Sequence, residues 1–139
     1  MNYLLTILLS FVLAHSAFAT EKTKIPTYTE DQLSISVKTE QPAFIIQLKS
    51  NPSTGYSWFL KKQDLRYFEP ALHQFQAPEN KHLIGASGYE RWTFKTKPTA
   101  FARPHQTTLH FVYARPWEKN KKNIEVIFAV SISHSQKQK

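Results

Sequence analysis

The sequence predicts an all-β protein, a β-sandwich of about seven short strands. Three observations predict it. Apolar and polar residues alternate with a period of two through most of the chain. No segment carries a 3.6-residue apolar period with capping residues at its ends. Turn-forming residues separate the alternating runs at short intervals.

The elements follow in order. Residues 1–19, "MNYLLTILLSFVLAHSAFA", hold an uncharged apolar run from Leu4 to Ala14 and then Ala17 and Ala19 at A-x-A spacing. That pattern reads as a secretory signal peptide cut after Ala19, and the run is short for a span of about 20 residues. The expected product is an exported protein, periplasmic or secreted, with no stable membrane anchor. Residues 20–31 are polar, contain Pro26, and read as a flexible lead-in to a domain over 32–134. Leu33, Ile35 and Val37 alternate with serines, and Phe44, Ile46 and Leu48 follow Pro42. Tyr56, Trp58 and Leu60 form the next alternating face, directed at the core. "KKQDLRYFEPALHQFQ" is ambiguous between a short helical turn near Asp64 and an irregular edge strand, and Pro70 and Pro78 break it either way. Trp92 shares a face with Phe94, and Leu109, Phe111 and Tyr113 share another. The longest run, Ile124, Val126, Phe128, Val130 and Ile132, reads as a central strand, with Ile127 and Ala129 suggesting cover on its other side. Residues 135–139 form a polar, frayed tail.

Three loops hold more chemistry than turning requires. They are "NPSTG" (Asn51, Pro52, Ser53, Thr54, Gly55), "GASGY" (Gly85, Ala86, Ser87, Gly88, Tyr89) and "RPW" (Arg115, Pro116, Trp117). All 3 glycines of the chain fall in the first two. Glycine serves where the backbone needs a positive φ or where something must approach closely. Trp117 sits between a proline and "EKNKK", polar company for an indole. It reads either as an exposed binding anchor or as a cap folded over the sandwich end. Trp58 and Trp92 lie on alternating apolar faces and read as core.

Composition narrows the function. With no cysteine there is neither a disulfide nor a thiol nucleophile. The 6 histidines are scattered, without H-x-H or H-E-x-x-H spacing, so the reading is of no enzyme, no metal and no cofactor. A Ser-His-Asp set assembled in space stays open to any sequence. Lysine and arginine total 18 against 10 acidic residues, a net charge of +8. Such a balance favours acidic partners or a self-repelling, soluble surface, and runs as short as Lys121-Lys122 make no case for nucleic acid.

In order and spacing, "NPSTGYSW", "GASG" with "WTF" after it, and "YARPW" resemble the chagasin-like inhibitors of papain-family cysteine peptidases, over residues 33–132. The family pattern is NPTTGY-x-W, a Gly-rich G-x-x-G loop and Y-x-R-P-W. Ser53 replaces the usual threonine, and Ser87-Gly88 followed by Tyr89 replaces a frequent Gly-Gly pair. The resemblance implies an immunoglobulin-like sandwich with its three loops in a row at one end. It implies reversible occlusion of a peptidase such as a cathepsin-L-like enzyme by a monomeric inhibitor. Thr54 would sit beside the catalytic Cys and His, with Gly55 keeping the tip thin. Arg115 and Trp117 would pack on the primed side, and the Gly85 loop would meet the other wall. A second reading relies on the lysines: an exported basic sandwich that binds polyanions or a cell-surface partner.

Overall fold

A computed structural model describes residues 24–62, 66–79, 85–118 and 123–135. The expected signal peptide, the cluster Lys119, Lys121 and Lys122, and residues 136–139 of the tail lie outside the described residues. Eight strands form: β1 (Thr27–Tyr28), β2 (Ser34–Lys38), β3 (Ala43–Ser50), β4 (Ser57–Lys62), β5 (Phe68–Gln76), β6 (Gly88–Thr96), β7 (His105–Ala114) and β8 (Ile124–Ser133). One four-stranded sheet has the order β1-β3-β6-β5 and the other β2-β8-β7-β4. Two short 3-10 turns, Pro52–Thr54 and Pro98–Ala102, are the helical elements among the described residues. The molecule is the all-β sandwich that the alternation predicts.

Each strand turns one row of side chains inward because its side chains alternate faces. Phe44 and Phe94, from the first sheet, stack at 5.2 Å between ring centroids. Phe94 meets Phe111 of the second sheet edge-on at 6.4 Å, and Phe111 meets Phe128 in the same way at 5.9 Å. This ladder of rings locks the two sheets together, with Ile35, Ile46, Leu48, Leu109, Val130 and Ile132 fully buried around it.

The structure departs from the expectations at four places. First, Thr27 and Tyr28, inside the expected flexible lead-in, pair in parallel with Ile45 and Ile46 of β3. Tyr28 gains burial against Phe44, and the Ile45 amide donates to the Pro26 carbonyl at 2.8 Å. Second, Pro70 does not break its segment. It falls inside β5, an edge strand, where the register to β6 shifts between Glu69 and Leu72. An edge position and a bulge are the two places where a strand tolerates a residue without an N–H. Third, Ile127 and Ala129, expected under partial cover, are exposed among the described residues, Ile127 by 49%. β8 is central within its sheet but has only one partner layer, so its outer face meets solvent. Fourth, two aromatics expected in the core lie at its margin. Tyr56 precedes β4 and is half-buried, and Trp92 is half-buried beneath the ring of His73, with 3.8 Å between centroids.

This packing sets two contrasting expectations for chemical denaturation. Phe94→Ala removes the ring that joins the two sheets and costs about 3–5 kcal/mol. Ile127→Thr, on the solvated face, changes stability by about 0.5 kcal/mol or less.

Candidate functional site

Strand register places the three loops side by side. Residues 51–56 carry the chain from β3 in one sheet to β4 in the other. Ser50, where that crossing begins, is paired with Gly88, where the second loop ends. Ser57, where it finishes, is paired with Ala114, where the third loop begins. Loop 51–55 therefore stands in the middle of the row.

The middle loop is a closed turn. Pro52 sits at the start of the 3-10 turn, where its missing N–H costs nothing. The Thr54 amide donates to the Asn51 carbonyl at 3.1 Å and the Gly55 amide to the Pro52 carbonyl at 2.9 Å. The Thr54 hydroxyl also donates to the Asn51 carbonyl, at 2.6 Å, and the Ser53 hydroxyl to Asn51 Oδ1, at 2.6 Å. Gly55 ends the turn at φ 80°, a conformation that disfavours any side chain. Pro52, Ser53 and Thr54 are all exposed.

Bonds between loops then fix the row. Asn51 Nδ2 donates to the Gly85 carbonyl at 2.9 Å, which joins the first loop to the second. Arg115 Nε donates to the Thr54 carbonyl at 2.8 Å, which joins the first to the third. The Arg115 guanidinium lies 4.5 Å from the centre of the Tyr56 ring and donates to Glu118 Oε1 at 2.8 Å. The hydrogen bond to Glu118 holds the guanidinium pKa above its ordinary value. Arg115 Nε and Nη1 are thus engaged within the molecule, as a staple between loops.

Trp117 is 67% exposed, so it does not cap the core. Its indole lies across Gly55: a Cβ at that position would come within 2.9 Å of Trp117 Cη2 and Cζ2. Gly88, by contrast, is a buried strand residue, where a Cβ would collide with the Gln76 carbonyl oxygen and the Phe75 ring. Ala86 and Ser87 are half-buried, and Tyr89 is exposed on β6. Of the residues read from sequence, Asn51 to Gly55, Gly85 and Arg115 to Trp117 form one contiguous edge. Gly88 serves instead as packing under that edge.

Sequence reasoning placed Tyr113 on the apolar face of β7 and missed its polar end. Its hydroxyl accepts from the Asn51 amide at 2.9 Å, while its ring stacks on Tyr56 at 5.2 Å and on Trp58 at 5.0 Å. A tyrosine closing an apolar run at a sheet end was the available signal. Among the described residues, no group of three or more His, Cys, Asp or Glu side chains is placed to hold a metal ion.

The three loops thus form one cross-bonded, exposed edge at one end of a β-sandwich, with no metal-binding cluster among the described residues. The chain belongs to the chagasin family of peptidase inhibitors: the family described as Chagasin family peptidase inhibitor I42 matches residues 37–132. It is similar to Amoebiasin-2 of Entamoeba histolytica, with 34% identity over 77 residues, 55% of this chain and 58% of that protein. The chain thus spans less than two thirds of that relative. The crystal structure of EhICP2, a cysteine protease inhibitor from Entamoeba histolytica, superposes with a TM-score of 0.63 at 25% identity, covering 78% of this chain and 95% of the other. The solution structure of Amebosin gives a TM-score of 0.57 at 21% identity, with 78% and 98% covered, a likeness of fold. The fold is accordingly immunoglobulin-like, and the family is one of inhibitors and not of enzymes.

Two substitutions test how the edge is held. Gly55→Ala forces a side chain into the left-handed region at about 1–2 kcal/mol and displaces the Trp117 indole, which a shift in tryptophan emission detects. Tyr113→Phe leaves the Asn51 amide without its partner and costs about 1 kcal/mol in a denaturation midpoint, with the ring stacking kept.

Proposed function

We propose that the protein is a reversible, tight-binding inhibitor of papain-family cysteine peptidases, a cathepsin-L-like enzyme being the type of target. It fills the active-site cleft with loops 51–55, 85–89 and 115–117. The observation that carries this reading is the row itself: three loops bonded to one another, with the exposed turn Pro52–Thr54 at its centre and Trp117 beside it. Membership of a peptidase-inhibitor family supports it, as does likeness to a cysteine protease inhibitor.

The chemistry of the turn explains how such a tip would resist cleavage. A peptidase attacks an extended strand whose carbonyl lies in line with its nucleophile. Here the carbonyls of Asn51, Pro52 and Thr54 each accept a hydrogen bond from within the protein. To offer any of them for attack, the turn must unwind. The preset row also loses little conformational entropy on docking. Trp117 supplies a rigid aromatic surface of the type that dominates binding hot spots. Export after cleavage near Ala19 and action as a monomer are part of this proposal, as is steering toward an acidic peptidase rim by Lys119, Lys121 and Lys122.

The deciding experiment is a peptide-substrate assay with papain and cathepsin L at micromolar inhibitor. The expected result is competitive inhibition with the inhibitor recovered intact, and no inhibition of either enzyme overturns the reading. Trp117→Ala should weaken binding by about 2 kcal/mol, or about 30-fold, with an unchanged melting temperature. Replacing the three lysines by serine should slow association at low salt and leave it unaltered at high salt. Retention on heparin that depends on those lysines, in a protein that inhibits neither enzyme, would favour a polyanion-binding module.

A further inference from the structure

A charged residue lies in the inward register of β6. Glu90, Trp92 and Phe94 share the inner face, and Glu90 is 3% exposed. A carboxylate taken from water at such a place must be hydrogen-bonded to persist. Its partners have a pattern that burial alone does not require. Oε1 accepts from Ser50 Oγ at 2.6 Å and from the Trp58 backbone amide at 3.1 Å. Oε2 is 2.7 Å from His73 Nε2 on β5.

Ser50 is the last residue of β3, directly before the central loop, and Trp58 is the second residue of β4, the strand that follows the loop. One oxygen atom therefore bonds both stems of loop 51–55. The backbone that carries Glu90 leaves the second loop two residues earlier, at Gly88. The bond to Trp58 also runs between the two sheets, from β6 to β4. We propose that Glu90 is a positioning residue for the inhibitory edge: its Oε1 sets the spacing of the two stems of loop 51–55 and ties them to the loop that precedes β6. The consequence for inhibition rests on the reading of those loops as the peptidase-contacting edge.

Glu90→Leu, Glu90→Gln and Ser50→Ala together separate this role from general stability. Leucine fills the site but bonds neither stem, and it leaves the Ser50 hydroxyl, the Trp58 amide and the His73 ring without this partner, so it lowers global stability as well. Glutamine keeps one oxygen for Ser50 and Trp58 and turns its amide toward His73. Ser50→Ala removes one stem bond with little risk to folding. The primary measurement is amide hydrogen exchange, which needs no peptidase. In Glu90→Leu the amides of Asn51, Thr54 and Gly55 should exchange about tenfold faster or more, and in Ser50→Ala the β7–β8 ladder, which reports the global cost, should keep its protection. Ser50→Ala should move the same amides in the same direction by less, and Glu90→Gln should restore the wild-type rates. Inhibition of papain should fall in parallel, by about tenfold for Glu90→Leu, because a tip held in several positions must be ordered on binding. Loop amides that keep their rates in both Glu90→Leu and Ser50→Ala overturn the proposal. So does uniform loss of protection across all strands in Glu90→Leu together with unchanged loop rates in Ser50→Ala. If the wild type inhibits neither papain nor cathepsin L, the inhibitory reading fails, and the exchange rates still decide the role of Glu90.

Discussion

The structure turns on one constraint: the chain must pass from one sheet to the other within residues 51–56. A crossing so short cannot wander. It starts opposite the residue where the second loop ends and finishes opposite the residue where the third loop begins. The ladders β3–β6 and β4–β7 thus dictate which loops are neighbours before any loop side chain is considered. A one-residue slip in either ladder would reverse every side chain of a strand between core and solvent. The aromatic ladder of Phe44, Phe94, Phe111 and Phe128 forbids that slip. Core packing and the placement of the three-loop edge are therefore one problem with one solution.

Once the loops are adjacent, short side chains hold them. Asn51 reaches the second loop, Arg115 reaches back to the first, and Tyr113 supports the amide at the start of the turn. Each bond satisfies a group that turn geometry leaves open, so stability and preorganisation come from the same contacts. The trade-off lies in Arg115. A guanidinium shared among the Thr54 carbonyl, the Tyr56 ring and Glu118 stiffens the row, and it is not free to reach toward a partner.

Much of the fold was legible because alternation records burial directly. Ile35, Val37, Phe44, Ile46 and Leu48 are inward as their spacing says. The misreadings share one cause: alternation does not say whether a second layer exists. Ile127 and Ala129 look like covered residues, yet both are exposed among the described residues. Tyr56 keeps the period of Trp58 but lies before the strand, where it serves as a platform for Arg115. At the site, residue types and loop membership were readable, since Pro52, Gly55 and Pro116 mark turns and Trp117 is an indole among polar neighbours. The pairing of the loops was not, because Asn51 and Gly85, or Thr54 and Arg115, are far apart in sequence and meet only through strand register. Glu90 was readable in principle, as a carboxylate in the inward register of an apolar strand.

The structure also changes what Gly55 does. From sequence, a glycine at the tip reads as a means of keeping the loop thin. In the fold, its positive φ ends the turn, and its missing side chain makes room for the Trp117 indole. The glycine thus closes the gap between the first and third loops. A side chain there would push the indole outward and break the continuity of the edge. With the carbonyls of Asn51, Pro52 and Thr54 and the Arg115 Nε and Nη1 groups bonded inward, the outer surface of the edge consists chiefly of the Pro52 ring, the Thr54 side chain and the face of Trp117. The conformational freedom of a single glycine is therefore what joins an exposed aromatic to the turn beside it and makes the two one continuous surface.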